Sequence, residues 1–208
     1  MFDHLTISDI AAVLISILIS MGFHEAMHAF VSHWLGDTTA KDEGRLTLNP
    51  LKHVDLYTTI LLPLLMILIH VPPIFIAKPV PFNPSRVKYG EFGVALIGLA
   101  GPLTNLLLAV FASIVFRIIG SDYITISNYL IIFVEINILF FIFNLIPIPP
   151  LDGSRVLYAF APEPLQNVMK KIESFGFISI LIIFVLLIQI IWPVISYLNS
   201  SIYTLLLG

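Results

Sequence analysis

Five long apolar stretches, at 8–34, 57–77, 92–119, 129–146 and 174–192, alternate with shorter polar segments along the 208 residues of the chain. Crossing a bilayer as a helix takes about 20 mainly apolar residues, so each stretch is a candidate span. The first has no Lys or Arg in the seven residues before it and runs on into His24 and Glu25, which argues for a retained helix rather than a cleaved leader. The second is interrupted by Pro63, Pro72 and Pro73 and carries His70, a poor pattern for one unbroken spanning helix. A last apolar run, 194–207, is short for a crossing and is expected to lie along the membrane interface.

Composition strengthens this reading. Hydrophobic residues make up 58% of the chain and charged residues 11%, with a mean hydropathy of +1.00, outside the range of soluble domains. No flexible linker, charge block or internal repeat divides the chain, so residues 1–208 are expected to form a single integral-membrane domain. Any regulatory domain would then belong to a separate membrane protein. There is no cysteine, which excludes disulfides and thiolate metal sites and leaves His, Asp and Glu as metal ligands. The net charge of -3 matters less than where the Lys and Arg fall. No nucleic-acid partner is expected.

Within the first apolar stretch, His24-Glu25-Ala26-Met27-His28 is an H-E-x-x-H pattern. Residues i and i+4 share a helix face, so the two imidazoles can face one metal with Glu25 beside the open coordination position. That combination serves metal-assisted hydrolysis with a general base. The plainer reading is polar side chains packed between helices. Ionisable groups inside a bilayer cost about 2.5 kcal/mol or more each, which makes three in five residues hard to explain without a metal or a wet cavity.

Two histidines are short of the three protein ligands usual in a catalytic zinc site. His33, His53, Asp55, His70, Glu135 and Asp152 are the remaining candidates, and Asp152 is the best of them. It ends the run Asn144-Leu145-Ile146-Pro147-Ile148-Pro149-Pro150-Leu151-Asp152-Gly153, where three prolines break a helix and Gly153 permits a turn, so that a carboxylate can be aimed inward. An ordinary Pro-rich exit loop is the alternative. Glu135 and Asn137 lie within a candidate span and suit either cavity hydration or an interhelical hydrogen bond. Gly93, Gly98 and Gly101 read most simply as small residues for close helix packing.

These blocks, together with Ala100-Gly101-Pro102-Leu103-Thr104-Asn105 and the stretch from Gly44 to Asp55, resemble the site-2 protease family of intramembrane zinc metalloproteases in its compact prokaryotic branch. The matching blocks run in the family's order through residues 22–155. The resemblance implies one zinc ion per chain held by His24, His28 and Asp152, with Glu25 as the general base that activates water at the zinc. It also implies substrate-cleft positions at Gly101, Pro102, Asn105, Asn144 and Pro147, and a transmembrane protein as substrate. Extended backbone at 144–152 is expected to offer unpaired groups to an unwound substrate strand.

Topology supplies a separate constraint. Five crossings would bring Asp152 and the His pair toward opposite faces, whereas a re-entrant or broken segment at 57–77 returns the chain to the same side. With that change Lys41, Arg45, Lys52, Lys78, Arg86, Lys88, Arg155, Lys170 and Lys171 share the face of the proposed site and only Arg117 lies near the other. The positive-inside rule then puts the site toward the cytoplasm of a cell membrane. The expected architecture is therefore an all-α polytopic membrane protein with about four full transmembrane helices plus one re-entrant segment and the H-E-x-x-H motif on the first helix. The expected function is zinc-dependent hydrolysis of a peptide bond in a membrane protein. A metal-ion or proton transporter using the same His and Asp residues is the alternative.

Overall fold

The computed structural model describes residues 6–61, 63, 65, 77–120, 123–175 and 177–208, with backbone alone at 56, 60 and 177–189. Its regular elements are helices: α1 (Ile7–Trp34), α2 (Thr39–Asp42), α3 (Glu91–Ile119), α4 (Ile124–Asn144), α5 (Gly153–Phe160), α6 (Glu163–Ser174) and α7 (Phe177–Leu207). Short 3-10 turns at Pro50–His53 and Pro84–Arg86 and one π-helical turn at Leu56–Leu61 lie between α2 and α3. No strand occurs among the described residues.

Four helices have the length and hydropathy to cross a membrane: α1, α3, α4 and the Ile190–Leu207 part of α7. Thr6 starts α1 by accepting from the Asp9 amide while the Asp9 carboxylate accepts from the Thr6 amide, a capping box that satisfies two otherwise orphaned donors. Helix α4 begins at residue 124, five residues before the apolar run at 129, because Ser127 can be absorbed by donating its hydroxyl to the carbonyl of Gly120.

Small residues let the bundle close. Ala26 and Ala29 on α1 and Ala109 and Ala112 on α3 are buried, and the α3 pair packs with Val134, Ile138 and Ile142 of α4 and Ile195 of α7. Between membrane helices the gain comes from such close packing and from hydrogen bonds rather than from water exclusion.

The C-terminal run departs from expectation. Residues 194–207 do not form a separate interfacial segment; they continue α7 straight through Pro193. A proline costs one helical hydrogen bond, a loss that membrane helices tolerate. Ile195 is buried against the core, and Ile202, Tyr203 and Leu206 pack on it. At the far end, Arg117 Nε donates to the carbonyl of Leu206 at 3.0 Å, covering an acceptor that the end of α7 leaves free.

The loops on either side of 57–77 are tied together. Lys88 N–H donates to Leu35 O at 2.9 Å, Lys78 N–H to His53 O at 2.9 Å, and Asn83 N–H to Asp37 Oδ2 at 2.8 Å. The chain therefore leaves the end of α1 and returns to that same end before entering α3. The expected re-entrant course of 57–77, and His70 with it, lies largely outside the described residues. Nine of the ten Lys and Arg side chains fall in segments at this end, and Arg117 lies at the other.

Candidate metal centre

His24 and His28, one turn apart on α1, are both buried and stand edge to face with ring centroids 4.7 Å apart. Each ring is anchored through Nδ1. His24 Nδ1–H donates to Asn105 Oδ1 at 2.6 Å and His28 Nδ1–H to the carbonyl of Ile97 at 2.7 Å. With Nδ1 carrying the hydrogen, each Nε2 is left to present a lone pair, the tautomer a metal-bound imidazole needs.

The Asn105 amide is itself oriented. Its Nδ2 donates to Ser20 O at 3.3 Å and to Asn137 Oδ1 at 3.0 Å, while Asn137 Nδ2 donates to Phe133 O at 2.8 Å. Each step can run in one sense only, because a carbonyl accepts and an NH2 donates. The main-chain carbonyl of Phe133 thus sets Asn137, Asn137 sets Asn105, and Asn105 sets the His24 tautomer across three helices. Asn105 and Asn137 are both fully buried, where an unpaired amide would cost roughly 1–3 kcal/mol.

Asp152 closes the site from the turn before α5. Its Oδ2 lies 2.9 Å from His24 Nε2 and 3.3 Å from His28 Nε2. The approach depends on two glycines of α3. A Cβ on Gly98 would stand 2.9 Å from the Asp152 carbonyl and 2.8 Å from Arg155 Cβ, and one on Gly101 would collide with Nε2 of both histidines. Gly98 seats the turn that carries Asp152, and Gly101 leaves room at the imidazole tips. The run 144–152 is not the extended strand expected of it. Its amides at Leu145, Ile146, Ile148 and Leu151 are spent within the turn and on the preceding helix, a consequence of prolines that force successive tight turns.

Ligand atoms of His24, Glu25 and His28 lie within 4.8 Å of one another. His28 Nε2 is buried without a hydrogen-bond partner, an arrangement that is costly unless something else occupies the position. Two imidazole nitrogens and a carboxylate suit zinc and match a three-ligand catalytic site with one position open. Among the other candidates, His53 is buried but committed elsewhere. Its Nε2 donates to Thr47 O at 3.0 Å, and its carbonyl accepts from Lys78. Asp55 caps the turn after it through the amides of Tyr57 and Thr58, and Glu135 is exposed on α4. Of the positions expected in the cleft, Gly101 abuts the imidazoles, Pro102 and Asn105 are buried in the bundle, Asn144 donates to Phe140 O of its own helix, and Pro147 is exposed.

Known proteins agree with this chemistry. The model for Peptidase family M50 matches residues 121–188. Across 214 aligned residues, 98% of this chain and 94% of the relative, the sequence is 34% identical to "Putative zinc metalloprotease YwhC" of Bacillus subtilis (strain 168). The chain belongs to peptidase family M50. Two further relatives are both named "Putative zinc metalloprotease Rip2". The one from Mycolicibacterium smegmatis is 31% identical over 81% of this chain and 64% of its own length. The one from Mycobacterium tuberculosis strain H37Rv is 27% identical over 80% and 64%. No solved structure matches significantly. The chain is thus a zinc-dependent metalloprotease of the M50 family built on membrane-crossing helices. This M50 peptidase holds one contact that the sequence pattern did not single out: Val80 N–H donates to Glu25 Oε2 at 3.0 Å. The Pro79-Val80-Pro81 run is the signal that marks it in retrospect.

Proposed function

We propose that the chain is an intramembrane endopeptidase in which His24, His28 and Asp152 hold one zinc ion and Glu25 moves the proton. Its substrates are membrane proteins, cut within or at the edge of a transmembrane segment. The observation that carries this reading is the meeting of both Nε2 atoms at one carboxylate oxygen, 2.9 and 3.3 Å away, inside a bundle of membrane-crossing helices. His28 lies about 9 Å along α1 from its end at Trp34, at 1.5 Å per residue, which puts the centre below the surface of the bundle.

When bound, zinc supplies Lewis-acid polarisation of the scissile carbonyl and makes water acidic enough to attack near neutral pH. Glu25 accepts the proton of the attacking water and returns it to the nitrogen of the leaving amine. Asp152 supplies negative charge against the metal, and the Asn105 and Ile97 acceptors keep both imidazoles in the ligating tautomer. Convergence at one point favours hydrolysis over transport, which calls for polar groups staggered along a path.

The excess of Lys and Arg at the site's end favours a cytoplasmic orientation in a cell membrane. Residues 1–208 act as one membrane domain. The test is reconstitution in lipid vesicles with a single-span membrane protein, followed by mass spectrometry of the fragments. Zinc-dependent cuts within the span or at its edge are expected; cuts confined to distant soluble flanks would overturn the intramembrane reading.

A further inference from the structure

The amide of Val80 makes the one hydrogen bond to the Glu25 carboxylate among the described residues, joining the catalytic helix to the segment that returns toward α3. Pro79 and Pro81 carry no N–H, so Val80 is the sole main-chain donor in the run 79–81, and that donor is spent on Glu25. The two prolines also fix φ on either side, which limits how far the donor can swing.

The segment is pinned on both sides of this contact. Before it, Lys78 N–H donates to His53 O at 2.9 Å and Arg45 Nη2 donates to Lys78 O at 2.7 Å. After it, Asn83 N–H donates to Oδ2 of Asp37, a fully buried carboxylate that also accepts from Ser32 Oγ and from the amide and hydroxyl of Thr39. The Val80 side chain is buried with Ala29, the residue after His28, and with Ala40 of α2. Phe82 packs on Leu35, Val87 and Ile97. Ile97 is also the residue whose carbonyl anchors His28, so the segment and the second imidazole share a support.

We propose that Val80 is a positioning residue for the catalytic base. Its amide holds Oε2 of Glu25 and thereby aims Oε1 at the attacking water. A free glutamate side chain has three rotatable bonds; one charge-assisted bond from a rigid amide removes most of that freedom before substrate arrives. The role rests on the protease reading, since it acts through Glu25.

Two measurements on the full chain test it. The first needs no activity: amide hydrogen exchange, resolved by residue. The Val80 amide is expected to be protected in the wild type and to exchange about tenfold or more faster in Glu25→Ala, while the Asn83 amide keeps its protection. Equal Val80 exchange in the two proteins would overturn the contact. The second separates the amide from the side chain. Replacing residue 80 by the α-hydroxy acid of valine puts an ester in place of the amide and keeps the isopropyl group, whereas Val80→Ala trims the side chain and keeps the N–H. The ester protein is expected to lose about tenfold in kcat, with KM and zinc content unchanged, and Val80→Ala, which keeps the donor, to lose clearly less. A kcat unchanged in the ester, or lowered equally in Val80→Ala, would overturn the positioning role. Cleavage that survives Glu25→Gln would instead overturn the base assignment beneath it, and is told apart because residue 80 is untouched.

Discussion

Replacing Asn105 by leucine, which has nearly the same size, should weaken zinc binding without emptying space in the bundle. The substitution removes the acceptor 2.6 Å from His24 Nδ1 and the donors to Ser20 O and Asn137 Oδ1. His24 Nδ1–H is then buried without a partner, at a cost of roughly 1–3 kcal/mol. The ring can avoid that cost by moving its proton to Nε2, but the lone pair then points away from Asp152. Either way the loss falls on the metal-binding form, and at about 1.4 kcal/mol per factor of ten it amounts to roughly five- to a hundredfold in zinc affinity. Loss of a partner behind a metal-bound imidazole commonly costs about the same. Competition against a chelator of known affinity, in detergent at fixed pH, measures it. Asn105→Asp keeps an acceptor and should lose less than the leucine protein, while Asn144→Ala, whose amide bonds only within its own helix, should be neutral. Zinc affinity in folded Asn105→Leu within twofold of the wild type would refute the tautomer argument.

Gly101→Ala brings a Cβ into contact with both Nε2 atoms, and the rings cannot retreat because Nδ1 is held on each. Metal content after dialysis should fall, with affinity down about tenfold or more. Asp152→Ala should lower zinc occupancy together with activity, whereas His53→Ala, whose ring serves a loop, should retain most of its zinc. The reverse result would exchange their assignments. Glu43→Cys and Ser85→Cys place single thiols in a chain that has none, on the exposed flanks of 57–77. An impermeant thiol reagent should reach both from the same, cytoplasmic side of the membrane; labelling from opposite sides would refute the shared face.

The juxtaposition of His24 and His28 was legible from their spacing, because a helix dictates which residues share a face. Asp152 could be nominated because three prolines and a glycine mark a helix end near a carboxylate. The ladder through Asn105 and Asn137 was not legible, since it depends on the rotation of three helices about their own axes and links positions 32 residues apart. For the same reason Gly101 read as a packing residue, although packing is what it permits: the packing partner is the Nε2 edge of two imidazoles. The run 194–207 read as an interfacial segment, but burial of Ile195 against α3 and α4 carries α7 through Pro193. Prolines at 147, 149 and 150 suggested open strand, and the Ile148 amide between them turns back to the Ile146 carbonyl instead.

The central claim, that Glu25 moves the proton at a zinc held by its neighbours, is tested most directly by measuring metal content and cleavage side by side in wild type and Glu25→Gln. Glutamine keeps the shape of the side chain but cannot accept the proton. The account predicts one zinc per chain in both proteins and cleavage in the wild type alone. Substantial turnover in Glu25→Gln, or a wild type that cleaves without zinc, would contradict it.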